Sequence, residues 1–150
     1  MATEVSANEG NPNWYKYEKF VSELGKWAWI IGILSGIIYI IWGIYGAAVV
    51  GTFLFGIGIG YFIFMIIGGV IAVLVSYAII KPNFSDKCAD KDWDFLFNWV
   101  FIIGSFRFPW MLFWGIILEI FTWWGGLPIL IPALFLLIAG PQNYKWTTQK

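Results

Sequence analysis

Few residues in this chain could do chemistry, and two of them lie where charge is costly. Glu119 sits between Leu118 and Ile120 in an apolar block, and Arg107 is the cation nearest to it in that block. An isolated carboxylate in hydrocarbon costs about 3 kcal/mol on insertion scales. Such a group faces a polar partner or a water-filled cavity, or else takes up a proton. Arg107 lies about 18 Å of helical rise and about 120° of rotation from Glu119, so the two do not pair on one straight helix. Arg107 is expected to snorkel toward headgroups beside Trp110.

On a straight helix Asp94, Asn98, Ser105 and Glu119 fall within about 60° of one another. That is the pattern of a polar seam along a pore or proton path. Phe101, Phe108 and Leu112 interrupt it, and a conducting path needs more polar lining than this. One carboxyl bonded to a neighbouring helix is the simpler expectation. The chain has no histidine and one cysteine, Cys88, which removes the commonest general base and any intrachain disulfide. Cys88 lies in a lysine-bearing loop where a lipidated thiol is conceivable and a plain reduced one expected. Asp86, Asp90, Asp92 and Asp94 lack calcium-loop spacing and are offset by Lys81, Lys87 and Lys91. No nucleophile–base pair, metal cluster or cofactor loop is present in the pattern, so an enzyme is not expected.

The elements that carry these residues belong to a bilayer. Of 150 residues, 60% are apolar, 21% aromatic and only 12% charged, a surface that water would not solvate. The formal net charge of zero offers nothing to nucleic acid, and no soluble substrate suggests itself. No charge occurs from Trp27 to Ile80, about 81 Å of helix, which is right for two crossings. The expected fold is all-α: four transmembrane helices in two hairpins, preceded by an amphipathic interfacial helix. Residues 1–13 read as a poorly ordered tail without the features of a cleaved signal. Trp14, Tyr17, Phe20, Val21 and Leu24 make an apolar stripe on a surface helix over 14–26. Spans are expected at about 27–47, 58–80, 95–124 with a kink at Pro109, and 127–144, with 147–150 as a tail. Lys81-Pro82-Asn83 ends the second span, and Gly125-Gly126-Leu127-Pro128 turns into the fourth.

All the lysines fall before span one, between spans two and three, or after span four. The positive-inside rule then puts both termini of a multi-pass cell-membrane protein in the cytoplasm. Gly25, Gly32, Gly36 and Gly43 lie within about 40° on span one. Gly58, Gly69, Ala72 and Ser76 make a similar face on span two. In lipid, small faces that admit close backbone approach hold helices together. These faces serve either subunit association or packing within one hairpin. Most of the aromatic residues are expected in headgroup belts, Trp14 and Trp93 among them. The expected function is a structural assembly in the membrane, a homo-oligomer built through glycine faces with lipids as partners. The alternative is an oligomeric channel or small transporter using Glu119.

Overall fold

The computed structural model describes residues 10–53 and 58–148, with backbone alone at 51–53. Its frame is a pair of antiparallel helices, α1 (Trp14–Phe53) and α2 (Ile59–Val75). Two helical stretches, Trp14–Val50 and Ile59–Ala89, are long and apolar enough to cross a membrane. Of the tail expected at 1–13, residues 1–9 lie outside the described residues, as do 149 and 150 of the tail at 147–150.

α1 runs unbroken for 40 residues, about 60 Å. A separate surface helix over 14–26 is therefore replaced by the first turns of α1 itself. No proline or helix-ending pair separates Lys26 from Trp27, and the apolar stripe finds protein partners. Trp14 and Val21 are buried, while Tyr17 and Phe20 stay partly exposed beside Phe135. The second span does not stop at Ile80 either. Beyond Val75 the chain widens into π-helical turns over Ser76–Ser85 and then closes as α3 (Asp86–Ala89). Pro82 has no N–H to donate and its ring clashes in an ordinary α-turn; the wider turn accommodates both. Asn83 Nδ2 donates to Ile79 O at 3.0 Å within the same widened turns.

The third block departs furthest from the expected kinked helix at 95–124, and from an all-α fold. It holds α4 (Trp93–Asn98), an antiparallel hairpin of β1 (Val100–Ile103) and β2 (Phe106–Pro109), and α5 (Trp110–Thr122). Phe, Ile and Val flank a Gly104-Ser105 loop, and Gly104 takes φ 64°, the left-handed residue a two-residue hairpin turn requires. Pro109 caps α5 in extended conformation instead of bending a helix. The free edge of β2 is covered by the C-terminal segment: Arg107 N donates to Trp146 O and Thr148 N to Ser105 O. After a turn at 123–126, α6 (Leu127–Ala139) ends five residues before the expected bound at Tyr144.

α5 and α6 have 13 residues each, about 20 Å, against about 30 Å of bilayer hydrocarbon. Their tip docks midway along the long helices. Ser35 Oγ meets Thr122 Oγ1 at 3.4 Å, and a Cβ on Gly68 would lie 3.0 Å from the Phe121 ring. At the other end of α6, Phe135 packs on Tyr17 and Phe20. Between Tyr39 and Phe53, α1 thus continues about 20 Å beyond the tip.

The core follows this asymmetry. Val21, Ile80, Phe84, Leu96, Met111, Leu118, Ile129 and Leu136 are fully buried, all on the lysine-bearing side of the tip. Trp14 and Trp93 meet edge to face at 5.4 Å inside it, not in a headgroup belt. Glu18 ties the N-terminal turns to the 81–92 region, accepting from Trp93 Nε1 and pairing with Lys91 Nζ, both at 3.1 Å.

Two outcomes follow. Gly36→Leu should force α1 off α2, where a Cβ already falls 2.6 Å from Gly69 O. Overpacking of this kind costs about 1–3 kcal/mol or more, read as a lower unfolding midpoint in detergent; an unchanged midpoint would contradict the close approach. Asp92 caps α4 through Phe95 N and pairs with Lys87 at 3.0 Å. The Lys87 contact, then the Phe95 N–H, hold the Asp92 carboxyl below its ordinary range. With a folded value below the unfolded one, this contribution is present above about pH 4 and disappears as pH falls through the lower folded value. The protection of the Phe95 amide, taken relative to its intrinsic exchange rate at each pH, should fall in that acid window and stay constant above it.

Candidate functional site

The small-residue faces meet each other within one chain. Gly25 faces Cys88 and Phe84, Gly32 faces Ser76 and Leu118, Gly36 faces Gly69 and Val73, and Gly43 faces Ile66 and the Phe62 carbonyl. Ala72 and Ser76 are fully buried, and Ser76 Oγ has no hydrogen-bond partner. Gly58 departs from the set: at φ 86° it opens the turn into α2, with a Cβ meeting only Val50 at 3.9 Å. The face expected to join subunits is filled by the α1–α2 pair, because Gly36 and Gly69 bring two backbones to a separation that leaves no room for a third helix.

The polar seam expected along span three does not form, since its members no longer share a helix. Asp94 and Asn98 are exposed on α4, with Asn98 Nδ2 donating to Asp94 O at 2.8 Å. Ser105 is in the β-hairpin loop and accepts from Thr148. Arg107 lies on β2, with its guanidinium 5.9 Å from the Tyr144 ring centre. Tyr144 Oη donates back to Arg107 O at 2.9 Å. Arg107 and Asn98 line a shallow polar depression with Phe97, Gln142, Asn143, Tyr144 and Lys145. Arg107 and Glu119 sit at opposite ends of α5, so the structure brings no ion pair together there.

Glu119 is where the chain concentrates its unusual chemistry. Its carboxylate faces the backbone N–H groups of Gly126 and Leu127 closely enough for both to act on its charge, while Leu127 N itself donates to Trp124 O at 3.4 Å. Both residues belong to the first turn of α6, whose N–H groups have no partner within their own helix. A carboxylate there also meets the positive end of the helix dipole. The contact is possible because Gly126 packs against the Gly115 carbonyl and Glu119 N, where any side chain would collide. Trp123 takes φ 60° to reverse the chain, and its N–H donates to Glu119 O at 2.8 Å. Glu119 Oε2 is buried without a hydrogen-bond partner, and Glu119 bears electrostatically on Tyr39 of α1.

Ser35 and Thr122 complete the tip beside Gly125 of the expected turn, and these two were not singled out by the sequence. Thr122 Oγ1 donates to Leu118 O at 2.7 Å and Ser35 Oγ to Gly32 O at 2.8 Å, so both hydroxyls are satisfied within their own helices. Their signal was slight: single hydroxyls in apolar runs, indistinguishable there from lipid-tolerated residues. Among the described residues no group of His, Cys, Asp and Glu could hold a metal ion. The chain matches no known protein family, and no match was found among curated proteins or solved structures.

If Glu119 serves to cap α6, Glu119→Gln should keep the hydrogen bonds, lose the charge–dipole attraction and cost about 1 kcal/mol. Glu119→Ala should cost more, about 1–3 kcal/mol, by stranding buried N–H groups. Equal midpoints for wild type and Glu119→Ala would remove the cap.

Proposed function

We propose that the protein is a structural component of the cell membrane without enzymatic activity. It crosses the bilayer twice, through α1 and α2, and inserts α5–α6 as a half-depth hairpin from the lysine-bearing, cytoplasmic side. Both termini and the 81–92 segment share that side, as the lysine distribution requires. One observation carries this reading above four full spans: among the described residues the contacts of the α5–α6 tip reach Tyr39 on α1 and Phe64 on α2, about 20 Å short of the far end of α1. The headgroup level supports the same depth. Lys81 Nζ lies over the rings of Trp29 and Tyr77 at 4.8 and 5.3 Å, a cation–aromatic cluster suited to that boundary. From Trp29 to Phe53 is about 36 Å of uncharged helix, one bilayer's worth, and the tip enters about 15 Å of it, a little under half.

The outward faces of the hairpin agree with lipid contact. Ile116, Ile120, Leu127, Ile131, Leu134 and Ile138 are all exposed. The Glu119 cap supports a structural role over a transport one, since the carboxylate already has partners in its own chain. The channel reading retains one supporting observation, the unpartnered Oε2 at mid-depth. Proton or cation flux through reconstituted protein, abolished by Glu119→Gln with the fold intact, would favour it. Self-association through the glycine faces loses its basis because those faces are occupied, and the particle in mild detergent is expected to have the mass of a monomer by light scattering.

Cysteine accessibility tests the topology. Cys88 is buried and gives a low background. Trp123 is 80% exposed at the hairpin tip, so Trp123→Cys should be tolerated, with Thr52→Cys reporting the far side. An impermeant maleimide should label Thr52→Cys from the far side and Trp123→Cys from neither. Far-side labelling of Trp123→Cys as fast as Thr52→Cys would establish four crossings instead.

A further inference from the structure

We propose that the protein is a one-leaflet wedge, preferring membrane that is convex toward its lysine-bearing side. The proposal rests on the half-depth placement of α5–α6 argued above, and its partner is the lipid surface itself. Through most of the lysine-side leaflet four helices cross a plane parallel to the membrane: α1, α2, α5 and α6. In the far leaflet, among the described residues, α1 and α2 remain. Each helix with its side chains is a cylinder about 10 Å across, so the near leaflet carries roughly twice the protein cross-section.

This excess is incompressible. The near end is built around fully buried Leu96, Met111, Leu118, Ile129 and Leu136, packed to interior density. In the far half the buried positions of the α1–α2 seam are glycines, Gly36, Gly43 and Gly46 on α1 and Gly69 on α2. There the two backbones close on each other and the pair is as slender as two helices can be. Ile37, Ile38, Ile41, Trp42, Ile44 and Tyr45 point outward from that half. The broad end is widened further on the near side by the β-hairpin, with Ile102 and Ile103 exposed at its loop. Phe101 packs on Phe108 and Trp110 at 5.2 and 4.6 Å, which fixes the hairpin to α5.

A rigid body wider in one leaflet leaves the bilayer two responses. Lipids of the far leaflet splay to fill the space beneath the tip, or the membrane bends so that the near leaflet gains area. Convex curvature on the near side supplies that area without splaying, so the protein is more stable there. The glycine seam and the short hairpin thus act together, one thinning the far half and the other thickening the near half.

Orientation in vesicles of two sizes reads this directly. The full chain is reconstituted into small sonicated and large extruded phosphatidylcholine vesicles, and an N-terminal tag is probed with an external protease. The fraction with the lysine-bearing side outward should rise several-fold from large to small vesicles, because only that orientation places the broad end on the convex leaflet. Equal orientation in both sizes, or a shift the opposite way, would overturn the wedge. Maleimide labelling of Trp123→Cys in the same vesicles separates the two ways of failing. A protected tip with size-independent orientation rejects the wedge and leaves the half-depth hairpin standing. A tip labelled from the far side rejects both.

Discussion

The reciprocal approach of Gly36 and Gly69 is the contact on which the rest of the structure depends. A Cβ on Gly36 would lie 2.6 Å from Gly69 O, and one on Gly69 would lie 2.5 Å from Gly36 O. Lipid tails are as apolar as leucine, so little hydrophobic drive holds the two helices together; dispersion between closely apposed backbones does. The seam is continuous, from Gly25 on Cys88 through Gly32 on Ser76 to Gly43 on Ile66. It sets the relative height of α1 and α2, and that height decides where everything else can dock. Ser35 and Gly68 become two sides of one recess, and the α5–α6 tip fills it.

The tip in turn raises a problem that the chain meets with Glu119. If the hairpin inserts as proposed, α6 begins inside hydrocarbon and presents N–H groups that no water can satisfy. Glu119, from the last turn of α5, turns its carboxylate toward the first-turn N–H groups of α6 at Gly126 and Leu127. The carboxylate and the stranded donors are each costly alone in such a place, and together they offset one another. Pro128 near the start of α6 removes a further donor from the same turn. On this account a charged residue in the bilayer is a consequence of where a helix starts.

Some features were legible in the residues, and others were masked for identifiable reasons. The uncharged run from Trp27 to Ile80 contained both long helices, and its glycine faces marked where they touch. Between Pro109 and Gly140 the chain holds two arms and a turn, about 22 Å per arm, too little for two full crossings at 1.5 Å per residue. That arithmetic was available, but reading the block as starting at residue 95 concealed it. The β-hairpin was concealed by composition: Val, Ile and Phe at such density look alike in a buried helix and a strand. Gly104 and Ser105 between two such runs were the local sign of a turn. Pro82 misled for the opposite reason, since a proline is a reliable break in an α-helix and a tolerable one in a π-turn.

By itself the sequence determined two long apolar helices suited to a membrane, the grouping of the lysines and the contact types. Charge exclusion over 27–80 and the grouping of lysines follow from solvation alone, which depends on residue type and not on neighbours. Glycine spacing likewise specified that two helices would meet closely. Tertiary structure alone decided which helices those were, spending on one hairpin the faces that two subunits would have used. It also decided how deep the α5–α6 hairpin reaches and what Glu119 touches. Those are questions of register between segments more than 80 residues apart, as Ser35 and Thr122 are, and no local pattern encodes such a register until the backbones have packed.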